Sequence, residues 1–127
     1  MSYLLDTQIL IWFLEDHAKL SKQARTILFD TMIDKYVSIV SLWEIVIKVN
    51  IDKLTLQTES KNLAQTLQVN DLIILDITNN HLNTYLDLPL IHKDPFDRLL
   101  IATAIAEKLT MVSSDNNIHK YNILYVV

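Results

Sequence analysis

The stretch DPFDRLLIATAIAEKLTMVS, residues 94–113, runs from a helix start through a buried helix into a strand. Asp94 before Pro95 has the form of an N-cap followed by proline at the first helical position, and Asp97 adds an acid to the first turn. From Leu99 to Ala106 only Thr103 interrupts the apolar residues, so the helix has no face to give to water and is covered on several sides. Beyond Lys108, Thr110-Met111-Val112-Ser113 reads as a strand. An apolar helix followed at once by an apolar strand is the repeating unit of a parallel sheet with helices on both faces.

Working outward, the same alternation recurs. Residues 3–5 read as a strand, 8–15 and 20–29 as helices, and 36–39 as a second strand. Ser41-Leu42-Trp43-Glu44 has the form of a capping box opening a third helix. Residues 51–57 form an irregular connection, 60–69 an amphipathic helix and 72–77 a buried strand. A helix over 78–86 is stopped by Pro89, the long helix reaches Lys108, and strands at 110–113 and 123–127 flank a turn at Asp115-Asn116-Asn117. The expectation is an α/β fold, three layers with a central and mostly parallel sheet, in a single domain over 1–127. In such folds ligands bind at the carboxyl ends of the strands, where the strand order reverses.

Composition narrows the function. The 127 residues are 50% hydrophobic and 20% charged with a net charge of −4, and they include neither glycine nor cysteine. Walker and dinucleotide-binding loops need glycine for a close backbone approach to phosphate, so both drop out. Without cysteine there is no disulfide scaffold, zinc finger, iron-sulfur site or thiol nucleophile, and a reducing cytoplasm is expected. No apolar run approaches the roughly 18 residues of a membrane span, and Met1-Ser2-Tyr3-Leu4-Leu5-Asp6 lacks the basic start of a signal peptide.

Four acids fall on the expected ligand-binding edge: Asp6 after the first strand, Glu44 in the helix after the second, Asp97 in the long helix and Asp115 after the strand at 110–113. Each has a plain structural use as a helix cap, dipole partner or Asx-turn residue. Together, however, four carboxylates at one edge would raise one another's pKa unless a cation compensated them. Oxygen ligands without neighbouring His or Cys suit Mg²⁺ or Mn²⁺. Such ions activate water for phosphodiester cleavage, which makes nucleic-acid hydrolysis the implied reaction.

The ordered set Leu4-Leu5-Asp6-Thr7, Ser41-Leu42-Trp43-Glu44-Ile45-Val46-Ile47-Lys48, Lys53-Leu54-Thr55-Leu56, His92-Lys93-Asp94-Pro95-Phe96-Asp97-Arg98-Leu99-Leu100-Ile101-Ala102 and Val112-Ser113-Ser114-Asp115 resembles the PIN-domain ribonucleases. Within them it is most similar to the VapC-type toxins of prokaryotic toxin-antitoxin modules. The resemblance implies an α/β/α fold and an Mg²⁺- or Mn²⁺-dependent endoribonuclease. It also implies a homodimer and an antitoxin whose tail crosses the acidic pocket. By position the family's acids fall on Asp6, Glu44, Asp97 and Asp115, with Asp94 as an accessory acid and Thr7 and Ser113 as supporting polar residues. Gln8 departs from the usual His, Asn or Ser; Asp52 and Asn122 stand where glycine is common, and both tolerate left-handed backbone.

Asp6, Asp97 and Asp115 are therefore expected to hold metal, and Glu44 to orient water or bind a second ion. Arg98 and Lys48 are candidates for holding the scissile phosphate, against the alternative of salt bridges to Asp94 and Glu44. Lys19, Lys22, Arg25, Lys35 and Lys53 could steer RNA; without the five pocket acids the formal charge would go from −4 to +1. His92 reads as a loop or capping residue, and His17, His81 and His119 as surface residues. Ile9-Leu10-Ile11-Trp12-Phe13-Leu14 is apolar all round, which suggests a core half and a dimer half. A housekeeping PIN nuclease and a catalytically silent binding module are the alternatives.

Overall fold

Alternation of side chains along three short strands explains the layers. The computed structural model describes residues 2–56 and 60–127. Five strands, β1 (Ser2–Leu5), β2 (Asp34–Ser38), β3 (Leu72–Leu75), β4 (Thr110–Val112) and β5 (Tyr125–Val126), form one sheet in the order β3-β2-β1-β4-β5, with every pairing parallel. Leu5, Val37 and Val112 lie in register and point to one face, where they join a core made with α1 (Thr7–Leu14), α2 (Lys22–Phe29), α3 (Ile39–Asn50) and α4 (Leu63–Val69). Their neighbours Leu4, Tyr36 and Met111 point the other way. They pack with α5 (Asn79–Asp87), α6 (Pro95–Glu107) and α7 (Asn116–His119). The result is the expected three-layer α/β/α arrangement, with a sheet that is wholly parallel.

The element boundaries shift for identifiable reasons. α3 begins at Ile39, directly after β2, because the Ser38 side chain takes the cap by accepting from Val40 N–H at 3.1 Å. The expected box from Ser41 to Glu44 is therefore not formed, and Glu44 stands in the second turn. The strand expected to reach residue 77 stops at Leu75, and Thr78 caps α5 with His81 in a reciprocal box. The expected turn after β4 is the short α7, capped by Asp115. The helix expected over 60–69 is a 3₁₀ turn, Ser60–Asn62, leading into α4. The last residue of the expected 51–57 connection lies outside the described residues.

Without glycine, left-handed backbone falls to other residues. Asp52 has φ 59° as expected, and Asp16 (49°), Asp71 (62°) and Lys108 (57°) do the same, whereas Asn122 does not.

Two expectations about single side chains are corrected. Lys35 cannot steer RNA, because it is 1% exposed and its Nζ donates to Leu28 and Asp30 carbonyls at the end of α2, at 3.0 and 2.7 Å. His81 is fully buried and bonds Glu107 Oε1 through Nε2 at 2.8 Å, so it ties α5 to the end of α6 and is not a surface residue. In α1, Ile9, Leu10 and Ile11 are buried, and Trp12, Phe13 and Leu14 are half-buried against the same core.

Candidate active site

The strand order reverses between β1 and β4, whose carboxyl ends deliver Asp6 and Ser113 side by side; Asp6 N–H donates to the Val112 carbonyl at 3.1 Å. Asp6 leaves the strand in extended conformation and caps α1, its Oδ1 accepting from Ile9 N–H at 2.8 Å. Ser113 is buried; its hydroxyl bonds the Asp6 side chain and accepts from Asp115 N–H at 3.1 Å. Asp115 then caps α7 through Asn117 N–H at 2.8 Å. From the first turn of α6 comes Asp97, while Asp94 caps that helix through Phe96 and Asp97 N–H at 2.8 and 3.2 Å.

Across the cleft α3 supplies Glu44. Thr7, 4% exposed, donates its hydroxyl to Glu44 Oε1 at 2.6 Å, and lies 3.0 Å from the Ser41 hydroxyl. Glu44 Oε2 meets Lys48 Nζ at 3.0 Å, one helical turn along. Asp6, Glu44, Lys48, Asp94, Asp97 and Asp115 thus line one open cleft of about 260 Å³, with Thr7, Gln8 and Ser114 filling its walls. Capping does not exhaust these carboxylates, because each offers about four lone-pair positions.

Burial sets the electrostatics. Asp6 is 3% exposed, and removal from water pushes its carboxyl up to about 7, with the charges of Asp97 and Asp115 adding to the rise. The hydrogen bonds from Ser113 and Ile9 oppose it and do not cancel it. Asp97 is also raised, again chiefly by burial and then by the charges of Asp94 and Asp115, while a hydrogen bond from His92 pulls it back. A buried carboxyl raised by its acidic neighbours is what a divalent cation would reverse, and an oxygen donor set suits a hard ion. The residues present therefore fit a bound Mg²⁺ or Mn²⁺.

Among the described residues, His92, Asp94 and Asp97 form the one trio of potential ligand groups whose atoms all lie within 4.8 Å of one another. Sequence reasoning gave His92 no such place: it sits in a loop between two prolines, where no periodicity signals which way a side chain faces. Arg98 is a correction in the opposite sense. It is 5% exposed; its Nη1 donates to the Pro89 carbonyl at 2.9 Å and the Tyr121 hydroxyl at 3.0 Å, and the guanidinium lies over the Tyr85 ring. So engaged, it cannot meet a phosphate, and Lys48 is the cation that lines the cleft among the described residues. Arg25 is likewise occupied, by Asp16 and the His17 carbonyl.

Beside the cleft, and also unread in the sequence, lies an apolar groove of about 360 Å³ between α3, α5 and α6, lined by Val40, Trp43, Leu82, Tyr85, Phe96 and Leu99. Trp43 is 60% exposed, and its ring lies 5.3 Å from that of Phe96.

The sheet is parallel with an acidic cleft at its switch point, and residues 3–124 match the PIN domain family. The chain belongs to that family, whose members are nucleases that generally work with divalent metal ions. The fold is shared with VapBC2 from Rickettsia felis bound to a promoter DNA fragment, at a TM-score of 0.72 and 18% identity over 99% of this chain and 98% of that one. It is shared with a toxin-antitoxin complex from Klebsiella pneumoniae, at 0.69 and 18% over 99% and 97%. FitAcB from Neisseria gonorrhoeae gives 0.69 and 16% over 98% and 96%. No curated protein sequence matches the chain.

Proposed function

We propose that the chain, acting as a single PIN unit, is a metal-dependent endoribonuclease and the toxin of a type II toxin-antitoxin pair. The observation that carries this reading is the cleft itself, in which the buried Asp6 faces Asp97 and Asp115 with its carboxyl raised to about 7. Asp6, Asp97 and Asp115 would hold Mg²⁺ or Mn²⁺, which would supply an acidified water and offset charge on the scissile phosphate.

The chain's own groups do the rest. Glu44, fixed by Thr7 at one oxygen and Lys48 at the other, accepts a hydrogen bond from the attacking water and orients it in line with phosphorus. Lys48 exchanges part of its contact with Glu44 for a phosphate oxygen. Attack of water forms one P–O bond as the P–O3′ bond breaks. The products are a 5′-phosphate and a 3′-hydroxyl, the latter taking up the proton.

Two partners belong to this reading. An antitoxin is supported by the toxin-antitoxin complexes that share the fold, and an acidic cleft suits a basic side chain from its tail. We assign a second copy of the chain to the groove at Trp43 and Phe96, because Trp43 is far more exposed than the half-buried Trp12, Phe13 and Leu14 of α1. The cytoplasm is the site of action; no described helix is long and apolar enough to cross a membrane.

The test is cleavage of total RNA by purified protein in Mg²⁺ or Mn²⁺, against EDTA and a matched Asp97→Asn preparation. Discrete fragments that require both metal and Asp97 support the assignment, and identical patterns from the two proteins overturn it. Growth arrest on expression, relieved by the product of a neighbouring small gene, separates a toxin from a housekeeping nuclease.

A further inference from the structure

We infer that His92 is a positioning residue for the metal centre: it fixes the Asp97 carboxylate in a ligating orientation from a loop that Tyr121 and Arg98 lock in place. The inference rests on the nuclease reading above and deepens it. His92 Nε2 lies 2.8 Å from Asp97 Oδ2, and both side chains are mostly buried, at 17% and 16% exposure. A carboxylate accepts only, so the ring nitrogen facing it carries the proton. That leaves Asp97 Oδ1 as the oxygen without this bond.

The loop bearing His92 has no regular structure of its own and is held from outside. The Tyr121 hydroxyl donates to the Pro89 carbonyl at 3.0 Å and accepts from His92 N–H and Arg98 Nη1, each at 3.0 Å. One donated and two accepted bonds use the full capacity of a phenol. Arg98 also donates to the Pro89 carbonyl and reaches the His92 carbonyl at 3.5 Å. The guanidinium that the sequence offered to phosphate thus closes a buried clamp on both ends of the segment from Pro89 to His92. It follows Asp97 directly in α6, so the ligand and the anchor of its partner loop share one rigid element.

Why Asp97 needs the clamp follows from its position. Asp97 lines the cleft beside Asp94 and Asp115, and a fixed N–H donor at 2.8 Å holds one of its oxygens in a single orientation there. Partners that orient a metal ligand typically change affinity ten- to a hundredfold when removed.

The experiment is calorimetric titration of the full chain with Mn²⁺ alone, without RNA, for wild type, Asp97→Asn, His92→Ala, His92→Gln and Tyr121→Phe, with melting curves to show that each is folded. His92→Ala is expected to weaken Mn²⁺ binding about tenfold or more, and His92→Gln, which keeps an N–H donor, to regain most of it. Tyr121→Phe falls between them. RNA cleavage by His92→Ala should recover as Mn²⁺ is raised to saturation, with the affinity for RNA unchanged. Equal Mn²⁺ affinity in wild type and His92→Ala, or a His92→Gln variant as weak as His92→Ala, overturns the inference while leaving the nuclease reading intact, provided Asp97→Asn still loses the ion. If wild type binds no Mn²⁺, the metal centre itself is wrong and this inference fails with it.

Discussion

The acidic cleft and the apolar groove are neighbours built from consecutive residues of the same helices. On α3, Trp43 faces the groove and Glu44 the cleft; on α6, Phe96 faces the groove and Asp97 the cleft. A step of one residue turns a side chain by about 100° around a helix, so one pair of helices presents two unlike surfaces without an intervening loop. The cleft collects polar groups that burial makes unstable as charges, while the groove exposes apolar rings that water disfavours. In the proposed reading the first takes a cation and the second takes another copy of the chain.

The largest effect should come from Asp97→Asn, which removes a ligand charge while preserving shape; RNA cleavage is expected to fall roughly a thousandfold, about 4 kcal/mol in barrier. Light scattering of this variant should give the same mass as wild type, because the groove is untouched.

Asp6→Asn separates cleft chemistry from folding. A carboxyl near 3.8 in the unfolded chain and about 7 in the folded one binds more protons when folded. Its contribution to stability is therefore complete below about pH 4 and is lost as pH rises through 7. Urea unfolding in EDTA should give wild type a lower midpoint at pH 8 than at pH 5.5, as far as Asp6 is concerned. Asp6→Asn should remove that slope and be more stable than wild type at pH 8 by a few kcal/mol. Added Mn²⁺ should stabilise wild type at pH 8 and leave the variant unchanged. A midpoint that rises with pH in wild type and not in the variant would show that the carboxyl is not raised.

Trp43→Glu attacks the groove alone. A charge there cannot be covered by an apolar partner without a large desolvation cost, so the scattering mass should halve at micromolar concentration while Mn²⁺ affinity is kept. Loss of Mn²⁺ binding would mean that the two surfaces are not independent. The smallest effect is expected of Lys48→Ala, which should weaken RNA binding by about tenfold or less and flatten its salt dependence, as read by filter binding in catalytically inactive Asp97→Asn protein.

What the sequence made legible follows from the range of the interactions involved. Asp6, Asp94 and Asp115 are read directly because capping is a contact with the next two or three residues, and the sheet is read because apolar strands and helices alternate at short range. Glu44 was placed on the right edge for a reason the structure replaces: Ser38 takes the cap, and Thr7 and Lys48 become its partners. Arg98 and His81 were misread because a charged or polar side chain looks free until its fixed partner is known: Tyr121 lies 23 positions from Arg98, and Glu107 26 from His81. Lys35 bonds carbonyls only 7 and 5 positions back, but they are backbone groups at the end of α2 that carry no side-chain signal. The groove was missed because Trp43, Leu82 and Phe96 come together only when α3, α5 and α6 pack, and the apolar run in α1 drew attention to a helix that the core covers.

The pairing of β1 with β4 has a consequence for timing. Asp6 and Asp115 stand 109 positions apart, and they meet only because β1 pairs with β4. β1, β2 and β3 can align earlier, with α1 to α4 covering one face, yet that assembly holds Asp6 and Glu44 without Asp97 or Asp115. The cleft therefore cannot form before α6 and β4 have joined the sheet: its assembly is tied to completion of the whole fold and does not precede it.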